Sequence, residues 1–131
     1  MKETATIDFD EVGQTTKERY TGRFVIKTLL SARDQLNADA FRRKQLGEDP
    51  DNADRVLKAW AGMASQIYVR VLEAPKWYYS TDYGLELRDY EIVNKLFEKI
   101  LEVDAEARKE ISDEAEGARK ELKRKTRTEK E

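Results

Sequence analysis

The chemistry open to this chain is limited to carboxylates, amines, guanidinium groups and hydroxyls, because its 131 residues include no cysteine and no histidine. Thiolate catalysis, disulfides and cysteine-ligated metal sites are therefore excluded. The commonest general base and the commonest metal ligand are also missing. An enzyme would have to work with Asp, Glu, Lys, Tyr, Ser or Thr alone. The sequence thus argues against catalysis, and we predict no catalytic residues, no metal and no cofactor.

Two groups of acidic residues are the nearest approach to a carboxylate site. Asp8, Asp10 and Glu11 could pair as catalytic carboxylates, and Asp8 and Asp10 share one face of a predicted strand. General acid catalysis, however, needs a carboxyl whose pKa is raised by burial. Alternation places this face in water. The loop 48–54 holds four acids, yet a calcium loop counted from Asp49 lacks the glycine and the glutamate needed at its sixth and twelfth positions. Both groups are therefore interpreted as solvated surface.

Basic residues are concentrated at two predicted helix ends. A triplet occupies residues 42–44, and seven bases lie between residues 119 and 130. Either group has the charge to contact phosphate, but cations near a helix C-terminus are also favoured by the helix dipole. The second group supplies three candidate partner-binding residues: Arg119, Lys123 and Arg124. The net charge of −2 argues against a dedicated nucleic-acid binder.

An aromatic cluster is the most informative feature of the sequence. Residues 74–88 hold four of the chain's aromatic side chains: Trp77, Tyr78, Tyr79 and Tyr83. Aromatic residues with polar tips are enriched at the centres of interfaces. The alternative is a loop folded over the chain's own core, with Trp77 as its plug. We expect Trp77 to lie against the body and the tyrosines to point outward, and all four, with Tyr20, are candidate partner-binding residues.

Residues 4–28 are predicted to form a β-hairpin, because apolar and polar residues alternate on either side of a turn at 13–16. Its inward-facing residues are expected to be Ala5, Ile7, Phe9, Tyr20, Phe24 and Ile26. Gly22 indicates a bulge or a close approach of another segment. Because an isolated hairpin is barely stable in water, this one must pack on helices or pair with strands of another chain.

Three helices are predicted after the hairpin. The first runs from about 32 to 46, with Ser31 as N-cap and Gly47 beyond its end; the second runs from about 53 to 72; the third begins after Asp89, its expected N-cap. Their expected apolar stripes are Leu36, Ala40 and Phe41 in the first, Val56, Trp60, Met63, Ile67 and Val71 in the second, and Val93, Leu96, Phe97, Ile100 and Leu101 in the third.

The composition changes at residue 104, since 18 of the last 28 residues are charged. Three acid–base pairs at i,i+4 spacing favour a continued helix: Asp104–Arg108, Glu116–Lys120 and Glu121–Lys125. We predict a compact α+β domain over 1–103, with an N-terminal β-hairpin packed on two or three helices, and a charged helical extension over 104–131. Deleting the extension should leave the domain folded, because its mostly alanine seam buries little area.

No apolar run approaches the ~18 residues that a bilayer span requires. The N-terminus also lacks the apolar core of a signal peptide. We therefore expect a soluble chain that is made and kept in a cytoplasm, without a membrane partner.

Five segments carry a resemblance to a known group of proteins: YTGRFVIK at 20–27, SARD at 31–34, FRRKQLG at 41–47, VRVLEAPKW at 69–77 and GLEL at 84–87. The region they span, roughly residues 4–101, resembles small tailed-bacteriophage proteins encoded among structural and tail-assembly genes, many of them tail assembly chaperones. The resemblance implies a non-enzymatic protein that binds other phage structural or tail proteins. It would act in the host cytoplasm during assembly or within the virion.

Two alternatives stay open beside the assembly chaperone. One is a small structural component retained in the particle, such as a capsid-associated, neck or tail protein. The other is a regulatory nucleic-acid binder that uses the basic tail, whose DNA affinity would fall steeply with salt. The open edges of the hairpin also allow edge-to-edge pairing with a neighbour, including a homo-oligomer.

Overall fold

The computed structural model describes the backbone of residues 4–130 and the side chains of residues 4–124. Its elements follow in the order β1 (Thr4–Val12), β2 (Arg19–Lys27), α1 (Ala32–Leu46), α2 (Arg55–Arg70), β3 (Val71–Glu73), α3 (Lys76–Ser80) and α4 (Glu91–Lys130). A short 3-10 turn, Pro50–Asn52, lies between α1 and α2. The predicted α+β class, the N-terminal hairpin and the long C-terminal helix are confirmed.

Strands β1 and β2 form the predicted hairpin, in antiparallel register from Thr4 opposite Lys27 to Val12 opposite Arg19. The alternation of apolar and polar residues turns one face inward, as expected. That face forms the core together with residues of α2, α3 and α4. The buried apolar cluster consists of Ile7, Phe9, Tyr20, Phe24, Ile26, Ile67, Tyr78, Ile92, Leu96 and Ile100.

Gly22 marks a close approach of two segments, one of the two possibilities predicted for it. Its φ is +148°, and a Cβ at this position would lie 2.5 Å from the Cβ of Pro75. Only glycine accepts both the backbone angle and the contact. The segment that carries the aromatic cluster is thereby seated directly on β2.

The sheet has a third strand that the sequence pattern did not predict. Helix α2 ends at Arg70, and Val71 pairs with Ile26 in an antiparallel bridge, giving the strand order β1-β2-β3. The predicted helix ran on to residue 72. The strand pairing replaces the last helical turn because the second edge of β2 has backbone groups that need hydrogen-bond partners.

The first helix begins and ends as predicted. The N–H of Asp34 donates to the hydroxyl of Ser31 (3.1 Å), and the N–H of Ser31 donates to the carboxylate of Asp34 (3.0 Å). These two bonds form a capping box. The N–H of Gly47 closes the other end on the carbonyl of Arg43 (3.2 Å).

The buried faces of the first two helices differ from the prediction. In α1, Leu36 is 61% exposed and Ala38 is buried instead. In α2, Val56 and Trp60 reach the surface, and the buried side chains are mostly small: Ala61, Ala64, Ser65, Ile67 and Arg70. The apolar spacing located both helices but misplaced their inner faces, because the positions that pack closely hold mostly small side chains.

Asp89 joins the hairpin turn to the start of α4, although it was predicted to be the N-cap of that helix. Its buried carboxylate accepts the N–H groups of Thr15 (2.8 Å) and Thr16 (3.0 Å) and the hydroxyls of Thr16 and Tyr20. The helix does begin just after it, at Glu91. The side chain serves a long-range contact that sequence spacing does not show.

Helix α4 packs on the sheet only through its first part. Ile92, Leu96 and Ile100 are buried, whereas Leu101, predicted to be buried, is 47% exposed. Asp104 is also buried, and its Oδ2 lies 2.7 Å from Nη2 of Arg70, with 7% and 6% of the two side chains exposed. The first residue assigned to the charged extension therefore contacts the body, and Asp104 pairs with Arg70 rather than the predicted Arg108.

Candidate functional site

Trp77 lies against the body, as the sequence predicted. Its ring contacts those of Phe9, Tyr20 and Phe24, with centroids 5.2–6.0 Å apart. Its indole N–H donates to the carbonyl of Thr21 (3.0 Å). The side chain is half-buried. Trp77 thus fixes the aromatic loop on the hairpin, and this contact uses the one polar atom of its side chain.

Two tyrosines proposed for partner binding belong to the core instead. Tyr78 is 2% exposed, so the prediction that it points outward is wrong. Residues 76–80 form the short helix α3, which turns Trp77 and the next residue toward the sheet. Burial raises the pKa of the Tyr78 hydroxyl, which has no hydrogen-bond partner among residues 4–124. Tyr20 is 5% exposed, because it lies on the inner face of β2 and donates to Asp89.

Tyr79 is exposed and contacts Tyr83, which is half-buried against the core cluster and meets one aromatic residue from each of α1 and α2. We call Phe41, Tyr68, Tyr79 and Tyr83 the aromatic patch. Phe41 stacks on Tyr68 with centroids 4.3 Å apart, Tyr68 meets Tyr83 edge-on at 4.9 Å, and Tyr83 meets Tyr79 at 6.2 Å. Tyr68 and Tyr79 are 38% and 49% exposed. Stacked and edge-on contacts hold these rings in fixed positions at the surface.

A shallow groove of about 410 Å³ borders the aromatic patch, and its lining combines apolar and charged residues. Lys27 and Lys44 lie on its walls. Nζ of Lys27 is 3.1 Å from Oδ1 of Asp34. An amphipathic partner segment would meet both ring faces and charged side chains here.

A second aromatic pair, which we call the Trp60 pair, lies where α2 faces the start of α4. The rings of Trp60 and Tyr90 are 4.9 Å apart, and the residues are 38% and 59% exposed. Beside them is a mainly apolar cavity of about 110 Å³, whose lining includes Met63, Leu85, Leu87 and Val93. The cavity is large enough for about one branched apolar side chain of a partner.

The sequence pattern did not identify Phe41, Tyr68, Trp60 and Tyr90 as surface residues. It assigned Phe41 and Trp60 to buried helix faces and gave Tyr90 no role. One signal was present: Tyr68 and Trp60 have polar tips, which favour the edge of a core over its centre. The pairing of Phe41 with Tyr68 had no signal, because it depends on how α1 lies on α2.

The basic residues proposed for partner binding lie on the exposed part of α4. Arg119, Lys123 and Arg124 are all exposed. Lys120 forms an ion pair of 3.7 Å with Glu116, as the i,i+4 spacing predicted. The predicted pair of Glu121 with Lys125 involves a side chain outside the described residues. Of the other basic group, Arg42 and Arg43 both bond Asp39, which lowers the pKa of that carboxyl.

The acidic residues considered as catalytic groups have structural partners. Asp10 pairs with Arg19 (2.6 Å) and Asp8 with Arg23 (3.5 Å) on the exposed face of the hairpin. In the acidic loop, Asp54 accepts the N–H of Val56 (2.8 Å) and caps α2. These carboxylates are at the surface, whereas general acid chemistry requires a carboxyl that burial keeps protonated.

Asp89 is the most deeply buried of these acids, and its environment favours the charged form. Burial opposes ionisation, but hydrogen bonds from Thr16, Tyr20 and Thr15 outweigh it and lower the pKa of the carboxyl to about 2. The carboxylate is therefore ionised at neutral pH, and its contacts tie the turn at 13–16 to α4.

Within residues 4–124, no group of three or more acidic side chains is arranged to hold a metal ion. The helices of the described chain also include none that is long and apolar enough to cross a bilayer.

Comparison with known proteins leaves the family of this chain open. No protein-family model matches it, and neither the curated proteins nor the solved structures contain a match. Its assignment therefore depends on its own residues: aromatic side chains at two places on the surface and an exposed charged helix.

Proposed function

We propose that the chain is a non-enzymatic assembly protein of a tailed bacteriophage, similar to tail assembly chaperones, that binds other virion proteins and keeps them soluble until assembly. One observation carries the proposal: the aromatic patch and the Trp60 pair are held at the surface of a body whose buried cluster consists of other residues. Tyrosine and tryptophan at the surface are the side chains that most often anchor protein interfaces.

The sequence resemblance supplies the class of partner. The resembling region, roughly 4–101, includes both surface aromatic groups, so the part of the chain that resembles phage assembly proteins is also the part that presents anchors. The exposed charged half of α4 adds a second kind of surface, because charged rims steer encounter and set specificity. Together these features support binding to structural or tail proteins in the host cytoplasm.

The chemistry of the acids supports the non-enzymatic part of the proposal. Asp8 and Asp10 are exposed and paired with arginines, and Asp89 is ionised within a saturated hydrogen-bond network. A general acid needs the opposite environment.

A pull-down from infected cells tests the proposal. The tagged chain should capture phage structural or tail proteins, identified by mass spectrometry. A variant with Tyr79→Ser and Tyr90→Ser removes an exposed ring from each aromatic group, and capture should fall about ten-fold or more. The matched control is Leu36→Ser, at a residue 61% exposed and outside both groups. Failure of the unaltered chain to capture any virion protein would contradict the proposal.

The composition of purified particles separates the chaperone from the retained structural component. An assembly chaperone acts before completion and should be scarce in the particle. Many copies of the chain per particle, measured by quantitative mass spectrometry, would favour the structural component.

Thermal melts of each pull-down variant distinguish loss of capture from loss of folding.

A further inference from the structure

The cavity beside the Trp60 pair lies where three segments of the chain meet. Helix α2, the loop before α4 and the start of α4 each supply part of its wall, and its volume is about 110 Å³. Its apolar wall includes Met63, Ala64, Leu85, Leu87 and Val93. No acidic or basic side chain of residues 4–124 lines it, so a charged group inside would lose its hydration without gaining a partner. The ligand that this cavity suits is therefore apolar.

The volume of the cavity limits the size of the apolar group. An apolar cavity of roughly 150 Å³ admits a benzene ring, and this one is smaller. The branched side chains of valine, leucine and isoleucine fit it, whereas an aromatic ring does not. Pockets for whole small molecules measure roughly 300–1,000 Å³. The cavity therefore holds one side chain of a larger molecule rather than a complete metabolite or cofactor.

Two polar groups lie at the rim of the cavity: the indole N–H of Trp60 and the hydroxyl of Tyr90. The two residues are 38% and 59% exposed, and neither polar group has a hydrogen-bond partner among residues 4–124. Trp77 differs, because its indole N–H donates to the carbonyl of Thr21 (3.0 Å). Ligand pockets combine apolar walls with a few polar groups that fix orientation. The rim can bond the main-chain amide beside an inserted side chain, which makes a polypeptide the ligand that fits best.

The loop that forms one wall of the cavity has an unusual backbone. Asp82, Tyr83 and Gly84 have φ angles of +52°, +58° and +83°. Positive φ is unfavourable for a residue with a Cβ, and such conformations cluster where ligands bind. A Cβ on Gly84 would lie 3.3 Å from Cγ2 of Val93, another residue of the wall. The chain thus holds a strained loop at the place where that loop completes the cavity.

The exposed start of α2 extends the site beyond the rim. Val56 lies one turn before Trp60 on the same face of the helix and is 52% exposed. The spacing of apolar residues predicted that the whole stripe is buried, but the body covers only its later part, around Ile67. Residues on either side of an inserted side chain can pack on the uncovered part.

A second copy of the chain fits the rim less well. Its exposed leucines, Leu72 apart, lie in helices: Leu36, Leu57, Leu101 and Leu122. Main-chain groups inside a helix are already bonded to one another. A leucine of this kind could fill the cavity but could not bond the rim through its backbone. An extended segment of another protein offers both the side chain and free main-chain groups.

We infer that the cavity binds a valine, leucine or isoleucine side chain in an extended segment of a partner protein, whose main chain bonds Trp60 and Tyr90. The inference rests on the proposed function and adds the side chain that the Trp60 pair recognises. Burial of the branched side chain supplies affinity, and the volume of the cavity supplies selectivity against larger rings.

NMR of the full chain measures binding through the signal of the Trp60 indole N–H, which Trp60→Phe identifies by removing it. The probes are the N-acetyl amides of leucine, alanine and phenylalanine, together with isobutanol, which has a branched chain but no amide. The leucine amide should bind at least about ten-fold more tightly than the alanine amide, which lacks the branched carbons. The phenylalanine amide and isobutanol should also bind more weakly than the leucine amide, because one is too large and the other lacks the main-chain amide.

Two variants with a matched control locate the site. Ala64→Leu fills the cavity from α2 and should weaken binding of the leucine amide about ten-fold or more. Ala59→Leu adds the same atoms at an exposed position of α2 outside the cavity and should leave the affinity unchanged. Met63→Ala enlarges the cavity and should raise the affinity for the phenylalanine amide about ten-fold. Thermal melts establish that each variant folds, and Met63→Ala keeps the test decisive if Ala64→Leu does not fold.

Each of four results would overturn the inference: no shift of the Trp60 signal with the leucine amide, equal binding of the alanine or phenylalanine amide, equal binding of isobutanol, or equal binding by folded Ala64→Leu. Self-association of the chain that Ala64→Leu abolishes would assign the cavity to a second copy instead. The assay contains no virion protein, so its outcome is independent of the pull-down. If the chain captures virion proteins but does not bind the leucine amide, only this inference fails. If it binds the leucine amide but captures no virion protein, the proposed function fails.

Discussion

The two halves of α4 are one continuous helix with different surroundings. From 91 to 104, Ile92, Leu96 and Ile100 are buried and Asp104 pairs with Arg70. From 105 to 124, nearly every residue is exposed, and helix-internal pairs such as Glu116 with Lys120 remain. Helix propensity therefore does not mark where the body ends. The boundary is set by contacts with residues that are distant in sequence. The last buried residue of the described helix, Asp104, is an acid.

Cutting the helix on either side of Asp104 gives the largest expected effect. Deleting 104–131 removes the carboxylate that pairs with Arg70 and leaves that guanidinium only its hydrogen bonds to Gln66, which should lower the free energy of unfolding by about 3 kcal/mol. Deleting 113–131 removes a segment whose described residues, 113–124, are all exposed, and should change it by less than about 0.5 kcal/mol. The sequence alone led to a different expectation, namely that the first deletion leaves the domain folded without loss of core contacts. Urea unfolding of both truncated chains measures the difference, and equal midpoints would show that the ion pair contributes nothing.

In the aromatic loop, residues 74–88, packed and exposed side chains also lie close together, at positions 77, 78 and 79. Tyr78→Ala should lower the free energy of unfolding by about 3 kcal/mol, since a large ring leaves the core while an unpaired hydroxyl is also removed. Trp77→Ala, at a half-buried ring, should cost about 2 kcal/mol. Tyr79→Ala should cost less than about 0.5 kcal/mol but reduce partner capture. The sequence placed Trp77 alone against the body, whereas the structure buries Tyr78 more deeply than Trp77.

A second variant at Tyr78 separates the contribution of its ring from that of its hydroxyl. Tyr78→Phe keeps the ring and removes the hydroxyl that lacks a partner. It should be as stable as the unaltered chain or more stable, because an unsatisfied buried hydroxyl is destabilising. A marked loss of stability in this variant would mean that the hydroxyl has a partner in solution. Thermal melts of both Tyr78 variants give the comparison.

Features with local causes were predictable, and features with distant partners were not. The cap of α1 joins Ser31 to Asp34, three residues apart, and was predicted correctly. Asp89 binds residues 69 to 74 positions away, and Arg70 binds Asp104 across 34 positions. Spacing carries no information on such pairs. The same reason explains why the surface aromatic groups, which join α1, α2 and the loop, were found only in part.

Lowering the pH should weaken the contact that holds α4 at its start. The folded-state pKa of Asp89 is about 2, below the value of about 4 for an unfolded chain. The ionised carboxylate therefore stabilises the fold above pH 4, and this contribution disappears as the pH falls from about 4 through 2. Asp89→Asn should melt at a lower temperature at pH 7 and lose less on acidification.

Melting temperatures of both proteins between pH 7 and pH 2 provide the test of Asp89. The lowered pKa values of Asp34 and Asp39 produce a loss of stability that both proteins share. The difference between the two curves is therefore the quantity of interest. If the curves run parallel, Asp89 is not the source of the acid sensitivity.

The smallest expected effect on stability lies at the far end of α4. Arg119→Gln with Lys123→Gln alters two exposed bases and should change the free energy of unfolding by less than about 0.5 kcal/mol. The same variant tests the nucleic-acid alternative, because removing a base that binds phosphate reduces the salt dependence of DNA affinity by about one unit of slope. We expect DNA binding to be weak and equal in both proteins. Tight binding that falls steeply with salt, with a slope reduced by about two in the variant, would show that the exposed half of α4 binds phosphate rather than protein.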